Sequence, residues 1–192
     1  MKILEDKIRA EGVVLPGDIL KVDNFLNHQI DTSFVRLIAS EFGRIFYGTG
    51  INKIMTVEAS GIAIAYATSQ YFNDAPVVYA KKGAVSTMSK DVYSADVHSY
   101  THNNDYKLNV AKKFLSKNDR ILIIDDFLAT GEALNGLTQI VEESGATIVG
   151  CGVVVEKAYQ NGGKLIRDKG YQVVSLARVT AMSDDGQIEF ED

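Results

Sequence analysis

The chain has 192 residues, and 46% of them are apolar, which is enough for one domain with a sizeable core. Its 20 basic and 25 acidic side chains give a net charge of -5, so it lacks the basic excess that a general nucleic-acid binder needs to displace counterions. The single cysteine excludes a disulfide framework and a cysteine zinc site, and the histidines show no metal-ligand spacing. The first residues are too charged for a secretory signal, and no apolar run approaches the roughly 20 residues that span a bilayer, so we expect a cytoplasmic protein.

The first eighty residues alternate between helical and extended apolar spacing, apart from residues 11–33, which we expect to be irregular. The first predicted helix has one apolar face, formed by Phe34, Leu37, Ile38, Phe42, Ile45 and Phe46. The predicted elements are a helix over 34–48, a strand over 51–58, a helix over 60–72 and, after a turn at Asn73-Asp74, a short buried strand over 75–80.

A hairpin is predicted in the second irregular stretch, residues 81–106. Apolar residues alternate with their neighbours on both sides of a polar tip, at Ala95 and Val97 before it and at Leu108 and Val110 after it. This pattern indicates an antiparallel hairpin inserted into the core, with a polar approach that we expect to be mobile. A long insertion in a compact domain is more often functional than idle.

The remaining elements alternate strand with helix. Strands that are apolar on both faces and separated by helices are typical of a mostly parallel sheet covered on both sides, so the predicted fold class is α/β. Ligands of such folds bind beyond the carboxyl ends of the strands. The elements predicted here are a strand over 120–126, a helix over 131–145 that ends at Gly145, a strand over 146–156, a short helix over 162–170 and a final strand over 171–179.

Two adjacent aspartates follow the most apolar strand, in the stretch "ILIIDDFLATGEA" (121–133). Alternation along the strand sends the side chains of Asp125 and Asp126 to opposite sides. Gly131 has no Cβ to obstruct a ligand, and the helix that begins there offers unpaired N–H groups and the positive end of its dipole. A phosphate fits the helix end and two acidic acceptors fit a pair of hydroxyls, which together describe a ribose phosphate.

Other readings of the same stretch stay open on its chemistry alone. An aspartate in this place also occurs where it only caps the helix or neutralises a neighbour, and we weigh that structural role equally. Acidic pairs hold magnesium in receiver domains and haloacid-type phosphatases, but the receiver pair comes near the first strand and no DxD motif occurs here. A P-loop kinase is disfavoured because the chain has no GxxxxGK[ST].

The stretch "ILIIDDFLATGEA" resembles the phosphoribosyl-pyrophosphate (PRPP) motif of the type I phosphoribosyltransferases. That motif has four hydrophobic residues, an acidic pair, two apolar residues and a small-Thr-Gly-x-small turn, and Phe127 departs from it where a smaller residue is commoner. Further segments resemble the bacterial members of the family that act on xanthine, so that the similarity covers nearly the whole chain. They are residues 11–31, 57–63, 76–82 and 153–160.

The resemblance implies a single phosphoribosyltransferase domain over residues 1–192, with a small N-terminal hood at about 11–33 and a flexible lid at about 81–106. The implied reaction moves the 5-phosphoribosyl group of PRPP to N9 of xanthine and releases pyrophosphate, with Mg²⁺ as cofactor. The implied partners are these small molecules and a second copy of the chain in a homodimer, with no nucleic acid and no membrane.

The resemblance also assigns roles to residues. Asp125 and Asp126 would bind the ribose hydroxyls, directly or through Mg²⁺, and favour the cation that develops at C1. The 5-phosphate would be bound by a phosphate cradle, mainly through backbone N–H groups. The cradle consists of Ala129, Thr130, Gly131, Glu132 and Ala133. Pyrophosphate would lie near Ser60, Lys81 and Lys82, although the two lysines are equally typical of a solvated surface. Xanthine would contact Leu20, Asn27, Phe127 and Lys157.

Two rival functions fit part of this pattern. The first is a hypoxanthine-guanine or other purine phosphoribosyltransferase, of which an adenine enzyme is disfavoured because Lys157 would leave the exocyclic amine facing a donor. The second is a PRPP-sensing regulator on the same fold. A regulator would carry an additional DNA-binding domain of roughly 70 residues or more, and the first fifty residues show no basic winged helix.

Overall fold

The computed structural model describes residues 1–83, 91–99, 104–183 and 185–191. The polar approach to the predicted hairpin falls largely on residues 84–90, and these lie outside the described part, as do residues 100–103 of the predicted lid. No helix in the described part is long and apolar enough to cross a membrane.

Within the described residues the strands form one large and one small sheet. The small sheet is an antiparallel pair, β1 (Val13–Leu15) and β2 (Ile19–Lys21). The strands of the large sheet are β3 (Lys53–Val57), β4 (Val77–Lys82), β5 (Val92–Ser99), β6 (Asn104–Ala111), β7 (Arg120–Leu128), β8 (Thr147–Lys157), β9 (Val173–Met182) and β10 (Ile188–Phe190). Their order is β10-β9-β8-β7-β3-β4-β6-β5, and the five central strands from β9 to β4 are parallel.

Helices cover both faces of this sheet, as the apolar pattern predicts. They are α1 (Lys2–Glu11), α2 (Thr32–Ile45), α3 (Gly61–Ser69), α4 (Glu132–Ser144) and α5 (Gly162–Asp168). Alternation along β7 sends Leu122 and Ile124 to a core shared with α1, α2 and α3, and Ile121 and Ile123 to a core shared with α4. The central strand is therefore buried on both sides, which confirms the α/β class and the mostly parallel sheet.

Most predicted elements are present. The last strand of the described chain is β10 and not the one predicted over 171–179, and the stretch predicted to be irregular at 11–33 contains the β1–β2 hairpin and a short π-helix, Asp23–Asn27. The helix α1 was not predicted at all. The prediction that Leu37 belongs to the buried face of this helix was wrong, because Leu37 is 44% exposed.

The strand β4 is less buried than predicted. Ala80 is buried, but Tyr79 is 41% exposed. The hairpin strand β6 pairs with β4 at Lys81 and Lys82, so the earlier residues of β4 lie toward the open edge of the sheet. The predicted antiparallel hairpin itself is confirmed, since β5 and β6 pair from Val92 to Ser99.

Glycines in β8 set the approach of α2 to the sheet. A Cβ on Gly150 would lie 2.6 Å from a Phe46 ring carbon, and a Cβ on Gly152 would lie 2.8 Å from Phe42 and 2.9 Å from Ile124. The two rings thus occupy the space that side chains would take. Because interiors are close-packed, these positions tolerate little added volume.

We predict that Gly152→Val destabilises the protein by about 1–3 kcal/mol, because the added methyl groups would overpack the ring of Phe42. The measurement is the midpoint of urea unfolding. Thr147→Val is the control, since Thr147 is exposed on the same strand and its replacement should stay within about 0.5 kcal/mol. Equal stability of the two variants would contradict the prediction.

Candidate active site

The two aspartates lie inside the strand β7, close to its carboxyl end, and both are buried. Asp125 is 5% exposed and Asp126 is 8% exposed. They enter the sheet as part of the run Arg120–Leu128, in which hydrogen bonds to β8 continue past Asp125 to Leu128. A regular strand therefore holds the acidic pair in place.

The two carboxylates open into different spaces, as alternation along the strand predicts. Asp125 lines a small cavity of about 150 Å³, and Asp126 lines a large cleft of about 810 Å³. The small cavity and the large cleft share Phe127, Ala129 and Thr130, so they adjoin across the turn that follows the strand. A ligand with two hydroxyls and a phosphate would meet acidic groups on both sides of β7.

The environment of Asp125 disfavours its charge. Burial, and after it the charge of Asp126, raises the pKa of the Asp125 carboxyl well above its usual value. The Asp126 N–H donates to Asp125 Oδ1 at 3.0 Å, and the charge of Lys82 acts in the opposite direction. Burial and the charge of Asp125 also raise the pKa of the neighbouring Cys151 thiol to about 12. The two neighbouring carboxylates repel each other, and a bound cation or hydrogen-bond donor would reduce that repulsion.

The predicted phosphate cradle, residues 129–133, forms one wall of the small cavity. Gly131 has a φ of 85° and precedes α4, which begins without a side-chain cap. A Cβ on Gly131 would lie 2.7 Å from the Cα of Gly162, so a glycine is required on both counts. The Gly162 N–H also donates to the Ala129 carbonyl at 3.0 Å. The cradle therefore rests on the first turn of α5, with the positive end of α4 behind it.

Two residues that the sequence analysis missed reach the small cavity from the hairpin. His98 and Tyr106 line it opposite the cradle, and His98 Nδ1 lies 2.6 Å from Asp105 Oδ1. Burial, and then the charges of Asp125 and Glu132, raises the pKa of the Tyr106 hydroxyl. No local sequence pattern identifies them, because the approach of the hairpin to the cradle depends on tertiary packing.

The loop between β3 and α3 approaches the site from the other side. The peptide bond between Glu58 and Ala59 is cis, and Glu58 Oε1 accepts a hydrogen bond from the Lys82 N–H at 2.6 Å. A Cβ on Gly61 would lie 2.0 Å from Thr56 Oγ1, so the loop fits closely on the strand below it. Ser60 begins α3 and makes no side-chain cap.

Ser60 opens into a third space, a side cavity of about 460 Å³ that Asn27 also lines. Lys81 and Lys82 are not among the residues that line the small cavity, the large cleft or the side cavity, although the Lys82 ammonium lies 5.6 Å from the Tyr106 ring centroid. The structure thus places Ser60 next to the hood residue Asn27, whereas Lys81 and Lys82 lie outside the three cavities.

The four residues predicted to contact a base lie together in the large cleft. Leu20, Asn27, Phe127 and Lys157 all line it, with Asp126 at its floor. Asn27 Nδ2 donates to Asp126 Oδ2 at 3.4 Å, which joins the hood to the acidic pair. A cleft of this volume is within the range of small-molecule sites.

Lys157 crosses the large cleft to reach the hood. Its ammonium donates to the backbone carbonyl of Asp18, at the tip of the β1–β2 hairpin. Burial lowers the pKa of this ammonium. A cation that is half removed from water is well placed to bind an acceptor on a ligand.

The described residues offer a metal ion part of a ligand set at this site. Among the described residues no group of three or more His, Cys, Asp or Glu side chains could hold an ion. The neighbouring carboxylates of Asp125 and Asp126 nevertheless supply oxygen ligands and excess negative charge. That donor set suits a hard cation such as Mg²⁺, which keeps several waters and takes the rest of its ligands from a substrate.

Comparison with known proteins identifies the family of this site. Residues 21–181 match the phosphoribosyl transferase domain model. The chain is 49% identical over 191 residues to the xanthine phosphoribosyltransferase of Pediococcus pentosaceus, with 100% of each chain covered. It is 50% identical to xanthine phosphoribosyltransferase 1 of Clostridium perfringens, over 96% of this chain and 97% of that one.

Solved structures of the same fold are more distant in sequence. The adenine phosphoribosyl transferase of Trypanosoma brucei, in complex with AMP, pyrophosphate and ribose-5-phosphate, has a TM-score of 0.79 at 19% identity and covers 95% of this chain and 82% of its own. The enzyme of Giardia lamblia complexed with 9-deazaadenine has a TM-score of 0.78 at 17% identity, over 91% of this chain and 97% of its own. These likenesses establish the fold.

We predict that Asp125→Asn makes the protein more stable at pH 8 than the unaltered protein. The folded-state pKa of Asp125 is raised, so the folded state binds the extra proton and its stability falls as the pH rises above about 4. Asparagine does not ionise, so the variant avoids this loss of stability. Its advantage over the unaltered protein should therefore vanish toward pH 4, where Asp125 is increasingly protonated in the unfolded state as well as in the folded state. Urea unfolding of the protein without ligands at the two pH values measures it.

Asp119→Asn is the control for this prediction. Asp119 accepts a hydrogen bond from Lys53 at 2.6 Å, and its replacement should lower the stability at pH 8. If Asp125→Asn lowered the stability at that pH, the ionised Asp125 carboxylate would not destabilise the folded protein, and the prediction would be wrong.

Proposed function

The chain belongs to the phosphoribosyltransferase family, and we propose that it transfers the 5-phosphoribosyl group of PRPP to N9 of xanthine, giving XMP and pyrophosphate. Relatives named for this activity match it at about half of all positions over nearly their whole length. The observation that carries the proposal is the large cleft, in which Lys157 and Asn27 face the same space as Asp126 and the start of the phosphate cradle. A base and a ribose phosphate would meet there.

PRPP would bind along β7 and the turn after it. Asp125 and Asp126 accept hydrogen bonds from the ribose hydroxyls, and the backbone N–H groups of residues 129–133 bind the 5-phosphate at the positive end of α4. The acidic pair is costly in the unliganded protein, because Asp125 is buried beside a second carboxylate. Binding of donors to both carboxylates would relieve that cost.

In the reaction the bond from C1 of the ribose to pyrophosphate breaks and a bond from C1 to N9 of the purine forms, while the proton of N9 passes to water. Positive charge develops at C1 in the transition state, and the carboxylates of Asp125 and Asp126 stabilise it electrostatically. Because both groups are buried, water screens this interaction little.

The leaving pyrophosphate needs counter-charge. Lys81, Lys82 and the backbone N–H groups around Ser60 would supply part of it, at the end of β4 and the start of α3. Asp125 and Asp126 would help to hold Mg²⁺, which would supply further positive charge for the leaving group.

The hood and Lys157 would select the base. The Lys157 ammonium donates to a carbonyl oxygen of xanthine in place of the Asp18 carbonyl, and Asn27 hydrogen-bonds the 2-oxo side. Phe127 and Leu20 pack against the ring. Adenine would leave the ammonium facing an amine, which is a costly mismatch in a partly buried site.

The hood, the lid and the oligomeric state are proposed by analogy with the family. The hood (residues 11–33) closes over the base, and the lid (residues 81–106) closes over PRPP and excludes water that would hydrolyse it. The protein works as a homodimer in the cytoplasm on charged metabolites, without a nucleic-acid or membrane partner. The exposed Ile30 and Tyr66 give an apolar surface at the side cavity that a second copy would cover.

A panel of nucleobases with PRPP and Mg²⁺ tests the substrate directly. XMP formation from xanthine is expected to exceed the products from guanine, hypoxanthine and adenine. Preference for hypoxanthine or guanine would favour the first rival function. Tight PRPP binding without turnover on any base would instead favour a regulator.

We predict that the double variant Asp125→Asn with Asp126→Asn forms no measurable XMP while it stays folded. The loss follows because both acceptors for the ribose hydroxyls, and the charge that stabilises C1, are removed. Nucleotide formation is followed at saturating substrates, and urea unfolding reports the fold. Turnover at the rate of the unaltered protein would refute the role of the pair.

We predict that Lys157→Met raises the xanthine KM by roughly tenfold or more, because a charge-assisted hydrogen bond to the base is lost. The PRPP KM should change much less, since Lys157 lies away from the small cavity. Lys164→Met is the matched control, as that lysine is 73% exposed and pairs only with Asp168 among the described residues. Equal shifts in both KM values would contradict a role in base selection.

A further inference from the structure

A third buried acid lies beside the base-binding cleft, and the proposed reaction does not use it. Glu156 is 2% exposed and immediately precedes Lys157 near the end of β8. It lines neither the small cavity nor the large cleft. A buried carboxylate has to be compensated by donors, and these donors identify its role.

Glu156 is fully compensated. The guanidinium of Arg167 donates to both of its oxygens, at 2.7 and 2.8 Å, while Ser175 Oγ and Arg178 Nε donate to Oε2 at 2.5 and 3.2 Å. Burial alone would raise the pKa of the Glu156 carboxyl, but the hydrogen bonds from Arg167 and Ser175 outweigh it and hold the pKa below its usual value. We call these four residues the Glu156 clamp.

The clamp fixes the strand that carries Lys157. Glu156 pairs with Arg178 and Lys157 with Val179 in the parallel register of β8 and β9, and the Ala158 N–H donates to the Val179 carbonyl. Alternation sends Glu156 to the side of the clamp and Lys157 to the large cleft. The base of the Lys157 side chain is therefore held from behind by a charged network.

The clamp also touches the helix that supports the phosphate cradle. A Cβ on Gly163 would lie 1.9 Å from Glu156 Oε1, so the carboxylate lies directly against the first turn of α5. The neighbouring residue of that turn, Gly162, donates its N–H to Ala129 and lies beneath Gly131. One carboxylate thus joins the strand of Lys157 to the support of the cradle.

We propose that Glu156 is a positioning residue, which sets the place of Lys157 relative to the phosphate cradle so that one nucleotide can span both. The proposal rests on the proposed function, because Lys157 has to be the group that binds the base. Glu156 itself touches no substrate. Its charge is taken up by Arg167 and Arg178, which leaves the charge of Lys157 available to the cleft.

Glu156→Gln tests this role, since glutamine keeps the shape and removes the charge that orders both guanidiniums. We expect the xanthine KM to rise by roughly tenfold, as effective alignment is lost. The PRPP KM should change by less than about threefold, because the cradle keeps its contact with Gly162. Calorimetric binding of XMP, which spans both parts of the site, should weaken in proportion to the xanthine KM.

Asp119→Asn is the matched control. Asp119 is also a largely buried acid, 13% exposed, that pairs with a cation, but its partner Lys53 begins β3 at the opposite end of the sheet. Both variants should lose stability in urea, and only Glu156→Gln should shift the xanthine KM. Ser175→Ala, which removes one hydrogen bond from the clamp, is a milder variant and should shift the KM in the same direction by less.

The outcomes separate this inference from the function on which it rests. If the unaltered protein forms XMP and Glu156→Gln shifts the xanthine KM no more than Asp119→Asn does, Glu156 is a structural residue and the inference is overturned. The same holds if Ser175→Ala leaves the xanthine KM unchanged. An unaltered protein that forms no XMP from xanthine would overturn the proposed function and the inference together.

Discussion

The acidic pair at the end of the central strand is the constraint on which the site depends. A parallel strand buried on both faces carries Asp125 and Asp126 close to its carboxyl end, where they are 5% and 8% exposed and repel each other. A fold gains no stability from such a pair. What surrounds it is arranged for a ligand: two adjoining spaces, a helix amino terminus on one side and a lysine-lined cleft on the other. Functional sites commonly retain strain of this kind.

The neighbouring strand β8 carries a buried acid, Glu156, whose charge is compensated by hydrogen-bond donors. Glu156 is as deeply buried as Asp125, but two guanidiniums and a hydroxyl compensate it. Burial, and after it the charge of Asp126, raises the pKa of Asp125, whereas the hydrogen bonds from Arg167 and Ser175 outweigh burial and lower the pKa of Glu156. The uncompensated acid is free to bind a substrate, whereas the compensated one holds elements together. In the proposed roles, β7 carries the acid that binds the substrate and β8 carries the acid that positions Lys157.

Substrate choice is separable from the fold. Solved structures of adenine phosphoribosyltransferases share this fold at 17–19% identity, so the sheet and its helices do not specify the base. We propose that the base is specified instead by parts at the edge of the sheet: the hood with Leu20 and Asn27, and Lys157, the last residue of β8. Such parts can change while the central strands keep their packing.

Local patterns in the sequence determined the α/β class, the strand that bears Asp125 and Asp126, the hairpin at 92–111 and the helix end at Gly145, because each depends on neighbours a few residues apart. The resemblance in the PRPP motif added the family. Tertiary structure decided the rest: α1 and β10, whose short patterns are weak by themselves, the exposure of Leu37, and the approach of His98 and Tyr106 to the cradle. The Glu156 clamp joins residues up to 22 positions apart, and only the packed chain brings its donors to one carboxylate.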